Sequence, residues 1–182
     1  MKVLKKIFSQ LHIYIAWIIL SSLVWSWVFM LATDTSASKK ITLYVDANSV
    51  NGTEFSALLE EGMPQKLKMI KIYTSADTSF DSFTAQGADL FIVKGSDAEK
   101  YIDSFAKLEE KEGVEYYYHG GTAYGIKVYD KETKKGSATK YISYGDDDYY
   151  LFFGINSVHL GEINGSADDY SFVIADKIMK IY

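Results

Sequence analysis

The first hydrophobic feature of the chain is continuous rather than periodic. From Ile13 to Ala32 the sequence IYIAWIILSSLVWSWVFMLA carries no charge. As a helix rising about 1.5 Å per residue, it matches the ~30 Å hydrocarbon layer of a bilayer. After it the pattern becomes periodic. KITLYVDANSV places Ile41, Leu43 and Val45 on one side of a strand before a polar loop. GTEFSALLEEGMP predicts a short helix, with Thr53 as N-cap, Phe55, Leu58 and Leu59 on one face, and Gly62 with Pro64 as the stop. KLKMIKIY predicts a second strand. TSADTSFDSFTAQ predicts a short helix through the spacing of Thr78 and Asp81, and ADLFIV a third strand.

A longer helix is expected next. Ser96 and Glu99 have capping-box spacing, and Ala98, Tyr101, Ile102, Phe105 and Leu108 recur at helical intervals. Alternation of strand and helix at this spacing predicts parallel strands with right-handed crossovers. The pattern then changes. TAYGIKVYD, SATKYISYG and YYLFFGINS read as three strands joined by short polar links, an antiparallel meander. In the last run both alternating sets are apolar or aromatic, which predicts a strand covered on both faces near the sheet's centre. Ser166 and Asp169 have capping-box spacing before a C-terminal helix striped by Tyr170, Val173, Ile174, Ile178 and Ile181. The expected fold is α/β: an N-terminal transmembrane helix, then one three-layer domain with a mixed sheet and a C-terminal helix.

Composition sharpens this picture. With 182 residues, 48% of them hydrophobic, the chain holds one ordinary domain with a real core plus an appendage. Every basic residue is lysine; Lys2, Lys5 and Lys6 precede the apolar run, and all 24 acidic residues follow it. The flanking lysines predict a cytoplasmic N-terminus and an extracytoplasmic remainder. A cleaved signal peptide is the competing reading, because TSAS at 35–38 offers small residues for a peptidase. The length of the run, and Trp17, Trp25 and Trp27 within it, favour a permanent anchor. The expected organisation is a basic tail (1–6), a membrane-spanning helix in lipid (7–32), a tether (33–39) and an α/β domain (40–182). The acidic outer part has no arginine, so nucleic-acid binding is excluded on charge. With no cysteine, disulfides, thiolate metal sites and lipidated-cysteine attachment are excluded too.

Candidate chemistry is sparse. His12, His119 and His159 lack metal-ligand spacing, no G-x-S-x-G is present, and GDDDYY and ADDY lack the spaced pattern of a calcium loop. HGGTAYG precedes a strand and lacks the ending of a phosphate loop; it reads as a flexible glycine loop. No cofactor or metal is expected. Open α/β sheets bind ligands beyond the carboxyl ends of their parallel strands. That rule singles out Asp46, Asn48 and Ser49 after the first strand, Thr74, Ser75 and Asp77 after the second, and Ser96 after the third, where turn-shaping and capping are the competing roles. Tyr124, with Tyr117 and Tyr118, offers a stacking wall.

The order of ADLFIVKGSDAEKYIDSFAKLEE, AYGIKVYD and YYLFFGINS resembles the first lobe of type 2 periplasmic-binding-fold proteins, the bacterial extracellular solute-binding proteins. The resemblance covers most of residues 40–182. It implies a ligand-binding lobe of a transport system and no catalysis. Three departures stand out: there is room for one lobe rather than two, Lys127 replaces the proline of a YGIP-like strand, and an anchor helix replaces the lipidated cysteine. Two functions follow as expectations. One is recognition of a small solute or peptide. The other is an accessory role beside a membrane protein or a second copy. An anchored or secreted hydrolase-like enzyme is the alternative.

Overall fold

A computed structural model of the chain describes residues 2–33, 35–82 and 86–181, with side chains in the first of these segments from Leu11 to Phe29. It divides into two compact units, Met1–Ser36 and Ala37–Tyr182. The first unit is a single helix, α1 (Lys2–Thr33). Its stretch Leu11–Phe29 has a mean hydropathy of 1.7 and no buried residue, so it is long and apolar enough to cross a bilayer. Trp17, Trp25 and Trp27 are all well exposed on it.

The second unit is α/β. Its strands are β1 (Lys40–Val45), β2 (Ser49–Val50), β3 (Met69–Thr74), β4 (Leu90–Lys94), β5 (Tyr116–His119), β6 (Thr122–Asp130), β7 (Lys135–Gly136), β8 (Ile142–Ser143) and β9 (Tyr149–Phe153). Its helices are α2 (Gly52–Glu60), α3 (Gly95–Ala98), α4 (Gly161–Asn164) and α5 (Tyr170–Met179). The main sheet runs β3-β1-β4-β9-β6-β5, with β7 beside β6, while β2 and β8 form a separate ribbon. β1 is parallel to β3 and β4; β9 is antiparallel to β4 and β6. The sheet is therefore mixed, as expected.

Because side chains alternate along a strand, the two faces collect different clusters. Ile41, Leu43, Leu90, Ile92, Leu151 and Phe153 pack with Phe55 and Leu59 of α2 and Ile174 and Ile178 of α5. On the other face Tyr44, Phe91, Val93 and Phe152 pack with Phe80, Ala98 and Phe105. β9 is buried on both faces between β4 and β6, the position its doubly apolar pattern predicts.

Several local expectations are corrected. The helix expected from Ser96 is only α3 followed by a 3-10 turn, Glu99–Ser104, and α3 has no side-chain cap. The stripe through Phe105 does face one cluster, but Phe105 turns extended and bridges Gly154. Its ring stacks on Phe152 at 4.2 Å, and the Ala106 and Leu108 amides donate to the Phe153 and Ala123 carbonyls. Sheet bonding and that ring stack win over further helical turns. The N-cap of α2 is Asn51, whose side chain accepts from the Glu54 amide, rather than Thr53. Asp169 caps α5 by position without a side-chain bond, because its carboxylate accepts from the Glu162 amide instead. The Thr78–Asp81 helix falls partly on residues 83–85, outside the described residues; before them the chain is in turns.

The expected meander is also rearranged. β6 pairs directly with β9, so SATKYISYG is excluded from the main sheet. It folds through local turns around Ala138 (φ 57°), leaving Ile142 and Ser143 to pair with β2. The HGG stretch is not a flexible loop. Gly120 (φ 56°) and Gly121 (φ 80°) supply the left-handed pair that a tight hairpin needs, and YYYH becomes strand β5.

Close packing around β9 generates the first prediction. A Cβ at Gly125 would lie 2.5 Å from the Phe152 ring, which is fully buried. Gly125→Ala is expected to cost ~1–3 kcal/mol through overpacking. Phe152→Ala is expected to cost ~3–5 kcal/mol through the cavity it leaves. Urea unfolding followed by tryptophan-independent far-UV dichroism, with the midpoint shifted and the slope unchanged, checks both.

Candidate functional site at the carboxyl ends of the parallel strands

β1, β3 and β4 end side by side, and the chain leaves each at the same edge of the sheet. Past β1 the Asp46 amide still donates to the Ile92 carbonyl, and past β3 the Ser75 amide donates to that of Val45. These bonds hold the polar side chains that follow each strand close to the sheet. A cleft of about 290 Å³ lies there, lined by Tyr44, Asp46, Ser75, Ser79, Phe80, Val93 and Tyr101. Tyr44 and Asp46 are two residues apart and so share a face.

The walls of the cleft are aromatic. Phe80 and Tyr101 stack with centroids 3.7 Å apart, and Tyr44 meets Phe80 edge-on at 5.4 Å. Burial, with Asp46 nearby, pushes the Tyr44 phenol up to about 12, so it remains a neutral hydroxyl. Lys94, the last residue of β4, lies 3.7 Å from the Asp46 carboxylate. The cleft thus offers one partly neutralised carboxylate, several hydroxyls and ring faces. That set suits hydrogen bonding and stacking with a small polar solute.

Of the residues expected from sequence, Asp46 and Ser75 line this cleft. Thr74 and Asp77 shape the turn beside it: the Asp77 carboxylate accepts from the Thr74 amide and hydroxyl, at 3.1 and 2.8 Å. Asn48 and Ser49 belong to the β2–β8 ribbon, where the Asn48 side-chain amide donates to the Tyr144 carbonyl and Ser49 pairs with Ser143. Tyr124 sits elsewhere. Gly125 pairs with Phe152, which pairs with Phe91, so Tyr124 is level with the amino end of β4. It lines a separate cleft with Ile102, Ile155 and Ile163. Tyr117 packs on Tyr150 and Phe152 in the second cluster, and Tyr118 donates to Glu110.

Sequence reading missed Tyr44, Ser79, Phe80 and Tyr101 as lining residues. Tyr44 occupies the alternate set of β1, and Tyr101 reads as part of a core stripe; both serve the core and the cleft at once. The third strand contributes differently from expectation. The Ser96 amide already donates to the Asp147 carboxylate at 3.2 Å, and the Gly95 amide to the Asp148 carbonyl. GDDD, the segment leading into β9, therefore holds the start of α3.

A larger cleft of about 710 Å³ runs beside β6 and β7, lined in part by Glu115, Lys127, Asp130 and Lys134. One of its lysines, Lys127, is held in an ion cluster. Lys127 Nζ lies 2.6 Å from Asp130, 3.3 Å from Glu115 and 3.6 Å from Asp148. The bond to Asp130 raises the Lys127 ammonium above its usual range, and Lys127 holds Asp130 well below that of a carboxylate. Lys127 is thus the centre of an ion cluster.

A second polar group lies inside the domain. The Asp89 carboxylate accepts from the Thr42 amide at 2.7 Å and from the Ser157 hydroxyl at 2.6 Å. Ser157 Oγ is 3.2 Å from Ser171 Oγ and accepts from the His159 backbone amide. Burial raises the Asp89 carboxyl above its ordinary value, partly offset by these bonds. Among the described residues, no three His, Cys, Asp or Glu side chains gather as a metal ligand set. Comparison with protein-family models, curated proteins and solved structures finds no match to the chain.

The Asp46–Lys94 pair is partly solvated and long. Asp46→Asn is therefore expected to change stability by less than ~1 kcal/mol. Equilibrium unfolding of the variant beside the parent checks this, and it qualifies the variant as a probe of binding at an intact fold.

Proposed function

We propose that the chain is a membrane-anchored, extracytoplasmic recognition module of the solute-binding kind, which holds a small polar ligand at the carboxyl edge of its parallel strands and does not transform it. The observation that carries this reading is the convergence of Asp46, Ser75, Tyr44 and Tyr101 in one cleft at that edge. Open α/β sheets bind ligands in that position. The strand order, with β1 between β3 and β4 and an antiparallel strand beyond them, supports the likeness to one lobe of a type 2 periplasmic-binding fold, as does the three-layer arrangement implied by helices and loops on both sheet faces.

Lys2, Lys5 and Lys6, in α1 ahead of its apolar stretch, favour a cytoplasmic N-terminus and a single pass, with the domain outside. A non-catalytic role is supported by the geometry of Ser157, His159 and Asp168. Ser157 Oγ meets the His159 backbone, and the imidazole points at Asp168 and backbone carbonyls instead of at the hydroxyl. A nucleophile needs the ring nitrogen itself. A hydrolase-like enzyme would require a different constellation.

An accessory role within a membrane assembly is favoured by one further feature. Trp17, Ser21, Ser22 and Trp25 line a notch on one side of α1, with small residues between large ones, the profile of a helix-packing face. Exchange of residues 7–32 for a generic anchor, followed by detergent extraction, distinguishes the roles: a complex lost on exchange supports this one.

One lobe of such a fold contacts one side of a ligand, whereas well-formed pockets bury 70–90% of one. Calorimetric titration of the chain with sugars, amino acids, peptides and wall fragments is expected to show at best ~millimolar affinity, abolished by Asp46→Asn. Nanomolar binding by the monomer, or turnover of any of these compounds, would overturn the reading. Protease treatment of intact cells is expected to remove the C-terminal domain, and a mature chain beginning near Lys39 would refute the permanent anchor.

A further inference from the structure

His159 is fully buried, and each of its ring nitrogens has a defined partner. Nδ1 lies 2.7 Å from Asp168 Oδ1. Nε2 lies 3.0 Å from the Ala37 carbonyl and 3.1 Å from the Lys40 carbonyl. All three partners are acceptors. A neutral imidazole has one N–H and one lone pair, so it can serve one side and must turn the lone pair toward an oxygen on the other. An imidazolium donates from both nitrogens and satisfies the arrangement as it stands.

The partners come from distant parts of the chain. Ala37 belongs to the 3-10 turn Ala37–Lys39 that opens the domain, and Lys40 begins β1. Asp168 immediately precedes the N-cap of α5. The Ser171 amide donates to the His159 carbonyl, and the Tyr170 ring stacks against the imidazole at 5.7 Å, so the C-terminal segment holds both the backbone and the ring of His159.

We propose that His159 is a proton-operated latch, closed as imidazolium, that fastens the first residues of the domain (37–40) to its C-terminal segment and loosens when the proton leaves. The titratable groups facing it are Asp168 and Tyr170 on the C-terminal segment and Asp89 at the head of β4, with Lys40 of the leading segment acting on Asp89. Asp89 is already held by Thr42 and Ser157, so Asp168 makes the direct contact. Burial opposes the charged ring, but the Asp168 carboxylate, the Ala37 carbonyl and Asp89 outweigh it and raise the His159 pKa.

The sign follows from that direction. A raised folded value gives stabilisation that is complete below the unfolded value of ~6.5 and is lost as the pH rises through the folded value. Alkaline conditions therefore loosen residues 37–40. The one N–H left after deprotonation stays on Nδ1, facing the charged and stronger acceptor Asp168, so the Nε2 side, to the Ala37 and Lys40 carbonyls, is the side that opens.

The test uses the full chain in detergent micelles with 15N-labelled histidine, assigned by substitution of each histidine in turn. Long-range proton–nitrogen correlations are expected to show both His159 ring nitrogens protonated at a pH above ~6.5, with a midpoint that falls in Asp168→Asn. Normalised hydrogen-exchange protection of residues 37–42 is expected to fall by up to ~tenfold per pH unit between ~6.5 and the folded midpoint, then level off. In His159→Gln that pH dependence disappears. An unprotonated ring nitrogen on His159 at a pH near ~6 would overturn the latch. So would protection that stays flat through the titration of the parent chain, or that keeps its pH dependence in His159→Gln.

Discussion

The domain is organised around one strand buried at every position but Tyr150. β9 lies antiparallel between β4 and β6, with Tyr149, Leu151 and Phe153 in one core cluster and Phe152 in the other. A central strand exposes no backbone edge and no polar face, so both of its neighbours and both sheet faces must supply apolar partners. That requirement sets much of the rest. It draws Phe105 out of its helix to stack on Phe152, requires glycine at 125 where the ring approaches β6, and calls α5 onto the opposite face through Ile174 and Ile178.

The candidate cleft is a by-product of the same packing. Phe80, Tyr44 and Tyr101 close the second face of the sheet, and where their cluster reaches the carboxyl ends of β1, β3 and β4 it becomes the wall of a polar recess. Aromatic rings with hydroxyls serve both ends of that gradient, apolar inward and hydrogen-bonding outward. Neighbouring charge is largely spoken for: Lys127 gathers Asp130, Glu115 and Asp148, while Asp147 and Asp148 tie down the chain around α3 and β6. What remains toward the cleft is Asp46 with Lys94. A site of this kind selects ligands by shape and hydrogen bonding more than by net charge.

Polar groups inside the domain follow a different logic. Asp89, Ser157, Ser171 and His159 form a connected set at the opposite end of the strands, where the chain enters β1 and where it turns into α5. Every buried side-chain nitrogen and oxygen among the described residues has a partner. Polar networks of this sort specify one arrangement, because any slip leaves a buried group unsatisfied. Here the network joins the two ends of the domain, which hydrophobic contacts alone would hold less selectively.

The amino-acid pattern by itself determined the features that depend on composition over a window. These are the uncharged span in α1, the parallel strands β1, β3 and β4 with their alternating residues, the doubly buried β9 and the stripe of α5. Each is a local hydrophobic periodicity, and burial follows it directly. It also determined which ends of the strands carry polar loops, and hence that Asp46 and Ser75 lie at the cleft. Tertiary structure alone decided the rest. Whether 105–108 coils or extends turned on a ring stack and amide bonds to β9 and β6, and whether 137–145 joins the main sheet turned on β6 reaching β9 first. The placement of Tyr124 at the far end from Asp46 followed from strand direction, because β6 runs antiparallel to β9 and the residue stands near its start. His159 is the clearest case. Nothing in its neighbours along the chain says that it is buried, and two of its three ring partners are the carbonyls of Ala37 and Lys40, residues brought to it only by the closing of the fold.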